Sequence, residues 1–332
     1  MSRIWAFLGV RPGDNAQVMA LARELGQPFD EKILSYNILH LLTGRFMGAS
    51  RISLGRKCRD EVVVPPWPDL IIAVGRRAVP IARWVRKQNG GRTRLVLIGH
   101  PRVNPSKLDL VFTTRQYPIP DAPSVHLLPV AMSPYRSPPA RTEEENSWLQ
   151  RLPRPHLLMA LGGKTRYWRL PPEHLADAAE ILARRADSRG GTLIVIGSAR
   201  TDPAGLAAIE ERLDSAGPHQ VLWQSRPRFA VLMDDADEIF PTADSVSMLS
   251  EAVITGKPVG MVPVVMNRLS GWLIGTGQEA RKRNRRRDLR RFWNFLLAAG
   301  LIGSIEAPVA SALSNPVVEA SQEVAALIDE GP

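Results

Sequence analysis

The sequence predicts an α/β fold of two domains, each a parallel sheet wrapped by helices, facing one another across a cleft. Three observations predict it. Segments apolar along their whole length, such as "DLIIAVG", "RLVLIG", "HLLMALGG" and "TLIVIG", alternate with amphipathic helical stretches. Strands apolar on both faces belong in parallel sheets covered on both sides. The alternation occurs twice, and between the two runs lies "SPYRSPPARTEEENSWLQRLPRP", residues 133–155, whose proline and charge mark a linker enclosing a short helix.

In the first run "RIWAFLGV" reads as a strand. A helix over about residues 15–25 follows, with Val18, Leu21, Ala22 and Leu25 on one face and Gly26 as its stop. Then come "DLIIAVG", a helix over 77–87, "RLVLIG" and "DLVFTT". The second run gives "HLLMALGG", a helix over 173–185, "TLIVIG", a helix over 204–213, "QVLW", "EIFPT", a serine-bearing helix and "PVGMVPVV". Two Rossmann-like domains follow, over 1–135 and 156–332, joined by a linker over 136–155, with ligands expected beyond the carboxyl ends of the strands.

Composition narrows the class. With 332 residues and 44% hydrophobic content the chain supports two packed cores rather than disorder. A single cysteine, Cys58, excludes an internal disulfide, and "MSRIWAFLGVRPGD" lacks the pattern of a secretion signal, so a cytoplasmic place is expected. The most apolar window, "FWNFLLAAGLIGSI", is broken by Gly300 and Gly303 and falls short of the ~20 residues of a membrane span. The net charge of +10 is concentrated in "RKRNRRRDLRR", residues 281–291, with eight Lys or Arg against one Asp.

That run leads into a helix near 281–299 with Leu289, Phe292, Trp293, Leu296 and Leu297 on one face. Cations beside an apolar face with Trp fit an anionic membrane surface, with Arg285, Arg286, Arg287 and Trp293 as the contacts and a peripheral place on the inner face of the membrane. The competing account is a core-packed helix with a solvated basic approach. Nucleic acid ranks last as a partner, since the aromatic platforms of RNA-binding modules are missing.

Two segments carry candidate chemistry. In "LLMALGGKTRYW" a strand ends in Gly162 and Gly163, which allow close backbone approach, and Lys164 and Thr165 add a cation and a donor suited to phosphate. It is not a P-loop, because the lysine follows the glycines directly; a glycine turn with a solvated lysine is the alternative. In "TADSVSMLSEAVITGKPV", Val246, Leu249 and Val253 form a core face while Ser247, Ser250 and Glu251 share a polar flank. Asp244 or Ser245 caps the helix start, whose partial positive charge receives anions. Glu251 lies about 9 Å further along the axis, near the distance from a diphosphate to the hydroxyls of its ribose. Here the alternative is a cap and a solvated glutamate.

This arrangement resembles the GT-B glycosyltransferases, whose C-terminal domain binds a nucleotide sugar. More closely, "GDNAQVMALARELG", "WPDLIIAVGRRAVPIARWVRK", "GHPR", "DLVFTT", "LGGKTRYWRL" and "TADSVSMLSEAVITGKPV" resemble, in order, the Elm-type mitochondrial fission family. The resemblance implies a GT-B-like fold and a nucleotide diphosphate sugar as partner. It implies Glu251 at the ribose, Ser245 and Ser247 at the phosphates, and Gly162, Gly163, Lys164 and Thr165 as the facing loop. Where plant-type members carry a His-Asp pair, this chain has Gln116 and Tyr117. Asp14, in "RPGDN", is then the candidate base, against the commoner role of helix cap; His100 in "GHPR" reads as a neutral imidazole held in a turn. "DDAD", residues 234–237, reads as solvated acids. No metal and no cofactor are expected. Two activities are in view: transfer of a sugar to a membrane-associated or envelope glycan, or a catalytically silent adaptor at a membrane.

Overall fold

The structure is a computed structural model and describes residues 2–330 apart from 42–46, 135–138, 215–216, 224–226, 268–269 and 271–285. The chain divides into two units, one of 1–134 with 315–332 and one of 135–314.

The first unit is built on strands β1 (Ile4–Leu8), β2 (Phe29–Ile33), β3 (Leu70–Val74), β4 (Arg94–Ile98), β5 (Leu110–Thr114) and β6 (Val125–Leu128). All pair in parallel in the order β2-β1-β3-β4-β5-β6. Alternation along β1 explains its two cores. Ile4, Ala6 and Leu8 pack with Val18, Leu21 and Ala22 of helix α1 (Pro12–Glu24), while Trp5 and Phe7 face Ala78, Val79 and Ala82 of α2 (Gly75–Gln88). The strand order reverses between β1 and β3, so a crevice opens beyond their carboxyl ends. β2 and β6, which the hydrophobic pattern did not predict, are the edge strands. No residue of "FDEKI" is buried, and β2 stays partly or fully exposed throughout, with Phe29 alone packed against the core beside α1.

The second unit contains α3 (Glu143–Gln150), β7 (His156–Ala160), β8 (Trp168–Arg169), α4 (Pro172–Asp187), β9 (Thr192–Ile196), α5 (Pro203–Leu213), β10 (His219–Leu222), α6 (Phe229–Asp235), β11 (Glu238–Pro241), α7 (Val246–Ile254), β12 (Val265–Met266) and α8 (Leu289–Ala298). Its four-stranded parallel sheet runs β10-β9-β7-β11, and β12 pairs antiparallel with β8.

Two boundaries differ from the expectation. The segment assigned to a linker is anchored in the second unit: α3 is closed by a capping box between Thr142 and Glu145, and Glu145 binds the Arg228 guanidinium. The last helix, α9 (Val317–Asp329), belongs to the first unit. Its Val317, Ala320 and Val324 are buried in the core beside α1. Helical period alone does not say which of two sheets a terminal helix covers.

Candidate functional site

In the second sheet β7 lies between β9 and β11. The chain leaves β7 for β9 and β10, then returns to β11 on the other side, so the strand order reverses at β7 and β11. Crevices at such reversals, beyond the carboxyl ends, are where α/β sheets hold ligands. Three loops meet at this edge: 162–166 after β7, 197–202 after β9 and 242–245 after β11.

They are sewn together by side chains of the 197–202 and 242–245 loops that meet the backbone of the 162–166 loop. The Gly162 N–H donates to Thr242 Oγ1 (2.8 Å), the Thr242 hydroxyl donates to Asp244 Oδ1 (2.7 Å), and the Gly163 N–H donates to Asp244 Oδ2 (3.0 Å). From the third loop the Ser198 and Thr201 hydroxyls donate to the Gly162 carbonyl at 3.3 and 2.7 Å. The glycines are required by this approach. A Cβ on Gly162 would stand 2.3 Å from the Asp244 carboxylate oxygens, and one on Gly163 would stand 2.0 Å from the Arg200 carbonyl. The expectation that these glycines admit a ligand to the backbone is thereby corrected, because both amides already have protein acceptors. Beyond them Lys164 is exposed, and Thr165 closes a turn in which its N–H donates to the Trp168 carbonyl (3.0 Å).

α7 begins where this stitching ends. Ser245 is its N-cap and accepts the Met248 N–H at 3.4 Å; Asp244, the other candidate cap, turns inward to the glycines instead. Val246, Leu249 and Val253 are buried as expected, Ser250 is buried with them, and Ser247 is partly exposed. Glu251 is also partly buried, and among the described residues its carboxyl has no hydrogen-bond or ion-pair partner. Burial alone raises it to about 7. Asp244 is raised too, by burial, against the opposing donors from Gly163 and Thr242 and the positive charge of Arg200. The Arg200 guanidinium lies 3.7 Å from Asp244 with half of its side chain exposed, so a half-exposed cation stands at the rim of the crevice.

Behind the 242–245 loop stands α8. Trp293 is buried, its indole N–H donates to the Ala243 carbonyl (2.8 Å), and its ring meets Trp168 edge-on at 4.7 Å between centroids. Leu289, Phe292 and Leu296 are buried beside it, and Arg290 is buried against the N-cap Asp288 at 2.7 Å. Trp293 is therefore part of the site's back wall, which corrects its assignment to a membrane surface. Arg286 is exposed and Arg287 partly so; Arg285 lies outside the described residues.

Other candidates fall elsewhere. Asp14 lies in the first turn of α1, whose N-cap is Arg11, so it is not the cap that competed with its role as a base. His100 is a held neutral imidazole: Nδ1 accepts the Arg102 N–H (2.9 Å), Nε2–H donates to the Pro118 carbonyl (3.3 Å), and burial lowers its pKa. The acids of "DDAD" are not a solvated loop. Asp235 is buried against His156 (2.6 Å), Arg141 and Arg154, Asp234 pairs with Arg141, and Asp237 with Arg154. Among the described residues no cluster of three or more His, Cys, Asp or Glu is placed to hold a metal ion.

Sequence reasoning missed Arg200, Thr242 and Trp168. Arg200 and Thr242 follow strands at the ligand-binding edge, which was the available signal; Trp168 carries a buried indole N–H without a hydrogen-bond partner.

The fold has known counterparts. The structure of S. aureus MnaA with UDP has a TM-score of 0.53 and 14% identity, covering 99% of this chain and 96% of that one. The UDP-GlcNAc 2-epimerase of Methanocaldococcus jannaschii has a TM-score of 0.54 and 11% identity, covering 99% and 100%. The fold is GT-B-like, with two Rossmann-like domains. In sequence, the mitochondrial fission protein ELM1 of Arabidopsis thaliana is 26% identical over 227 residues, 59% of this chain and 51% of that protein. The chain thus spans about half the length of this curated relative. The profile described as mitochondrial fission ELM1 matches residues 12–331, and with nearly every element inside that match the chain belongs to the mitochondrial fission ELM1 family.

Proposed function

We propose that the second unit binds a nucleoside diphosphate sugar and that the protein is a glycosyltransferase acting on a membrane-associated or envelope glycan. The observation that carries this reading is Glu251: a partly buried carboxyl without a partner among the described residues, one and a half turns into a helix that starts beside the glycine turn. A carboxylate left without donors in such a place is matched by two vicinal ribose hydroxyls. The diphosphate then meets the first-turn N–H groups of α7, with Ser245 and Ser247 beside it, while Lys164, Thr165 and Arg200 face it. These groups also stabilise the charge that develops on the leaving diphosphate. Asp14 is the base for the acceptor hydroxyl in this reading. UDP is the natural first ligand to test, since it is named with the S. aureus structure of the same fold.

Thermal unfolding with UDP, GDP, CDP and their sugars tests it. One of them at a hundredfold excess over its Kd should stabilise the chain by about 2.7 kcal/mol, and Glu251→Ala should weaken that ligand about tenfold or more while unfolding stays cooperative. No shift with any of them removes the donor site. A second reading rests on the description of the Arabidopsis relative as a fission protein: a catalytically silent adaptor that recruits a protein partner at a membrane. It predicts no nucleotide-dependent shift.

A further inference from the structure

The carboxyl edge of the first sheet gathers positive charge. The turns that leave its strands there, residues 9–15 after β1, 75–77 after β3, 99–104 after β4 and 115–124 after β5, carry Arg11, Arg76, Arg77, Arg102 and Arg115. Two acids stand against these five: Asp14 in the first turn of α1, and Asp121, exposed, six residues past Arg115. The segments that follow β2 and β6, residues 34–41 and 129–134, hold no Lys, Arg, Asp or Glu. Three of the arginines share one neighbourhood. Arg76 is partly buried, and its pKa is lowered first by burial and then by the guanidiniums of Arg77 and Arg102. Like charges brought together across two turns repel, and a bound anion is the partner that reverses the sign of that interaction.

The turn after β4 is built to present one of them. Arg102 has φ 59° and is the one non-glycine residue in the left-handed region among the described residues. That conformation costs about 1–2 kcal/mol for a residue with a Cβ, and such strain is kept at ligand clamps. His100 holds it: Nδ1 accepts the Arg102 N–H (2.9 Å), Nε2–H donates to the Pro118 carbonyl (3.3 Å), and the ring meets Tyr117 edge-on at 5.5 Å. A neutral imidazole therefore ties the β4 turn to the β5 turn and fixes the backbone from which an exposed guanidinium projects. The floor beside it is open. The neighbouring strands β1, β3 and β4 run into Gly9, Gly75 and Gly99, and no described atom beyond their chain neighbours lies within 4 Å of where a Cβ on any of them would stand. Backbone is thus uncovered at three adjacent strand ends, on the edge where sheets of this kind hold ligands.

We propose that this edge of the first unit binds a phosphate ester, with Arg76 and Arg102 meeting its oxygens, Arg77 beside them, and Gly75 and Gly99 beneath. Three guanidiniums offer more donors than a single carboxylate accepts, and they match the three terminal oxygens of a phosphomonoester. The site lies wholly in the first unit and does not depend on the nucleotide reading of the second. Calorimetric titration of the full chain with glucose 6-phosphate tests it, with glucose and glucuronate as comparisons; the probe carries no nucleoside, so its failure leaves the nucleotide reading untouched. Glucose 6-phosphate should bind, more weakly as salt is added, glucuronate should bind about tenfold or more weakly, and glucose should not bind. Arg76→Gln should weaken the phosphate ester about tenfold or more. Arg102→Gly should weaken it as much while keeping the thermal midpoint, because glycine takes the left-handed conformation without strain, a combination that a folding defect does not produce. Co-flotation with phosphatidylcholine vesicles containing phosphatidic acid separates the sources of the phosphate. Binding to these vesicles in place of glucose 6-phosphate, lost in both variants, supports the same site with a lipid as its ligand. The proposal is overturned if neither probe binds, if glucuronate binds as tightly as glucose 6-phosphate, or if binding survives both Arg76→Gln and Arg102→Gly.

Discussion

Glu251 pairs a chemical demand with a thermodynamic one. Its carboxyl is held at about 7 in the folded chain against an ordinary 4.5, by burial. Between those values the native state keeps a proton that the unfolded chain has released, so this group's contribution to stability falls as pH rises through the window. Glu251→Gln keeps the shape and removes the charge. Urea unfolding across pH should show the two proteins equal near pH 4 and the variant the more stable above pH 7, by on the order of 3 kcal/mol. A glutamate held in a salt bridge would give the opposite sign. Nucleotide affinity should move the other way, rising through the same window only where the glutamate is present, because the ionised form is the better acceptor of hydroxyls. This residue was legible in the sequence, since a glutamate on the flank of a crossover helix breaks the apolar pattern and its spacing from the cap is fixed by helical rise. Its neighbours were less so. Gly162 and Gly163 were legible as a turn but not in purpose, because the carboxylate that crowds them, Asp244, stands 81 residues away from Gly163 in sequence.

At the scale of the element, α8 shows what periodicity resolves and what it leaves open. The apolar face of Leu289, Phe292, Trp293 and Leu296 was legible, and all four are buried. The pattern does not distinguish burial against protein from burial against lipid. The partners that decide it, Trp168 and Ala243, lie 125 and 50 residues away from Trp293, as the ring contact and the indole hydrogen bond show. Leu297, counted on the same face, is 45% exposed. Trp293→Ala should therefore cost about 3–5 kcal/mol in chemical denaturation, and by withdrawing support from the 242–245 loop it should weaken nucleotide binding as well. Replacing Arg286 and Arg287 by Gln should change stability by about 0.5 kcal/mol or less each. A lipid-facing tryptophan would leave stability in water unchanged on removal, so the denaturation midpoint separates the two accounts.

Across the whole molecule, the parallel sheets were legible because their strands are buried on both faces, whereas β2, exposed along its length, carried no such signal. The closing helix was not assigned, and it determines the architecture of the first unit. α9 buries Val317, Ala320 and Val324 against the core beside α1. A chain ended after residue 314 should unfold its first unit at lower temperature and leave the second unit's transition in place, which calorimetry resolves as the downward movement of one of two transitions. Equal displacement of both, or of neither, would contradict the assignment of α9.

The crossing point of the chain is also defined. Asn315 clasps Ser133, its amide donating to the Ser133 carbonyl (2.7 Å) and its carbonyl oxygen accepting the Ser133 N–H (3.3 Å). The second unit is therefore an insertion in the sequence of the first, between Pro134 and Asn315. During vectorial synthesis the strands of the first sheet precede the insertion and α9 follows it, so the core face beside α1 stays uncovered while the insertion is made. A nascent chain stalled within the insertion has every strand of its first sheet but lacks the cover of Val317, Ala320 and Val324, and it presents that uncovered apolar face to aggregation.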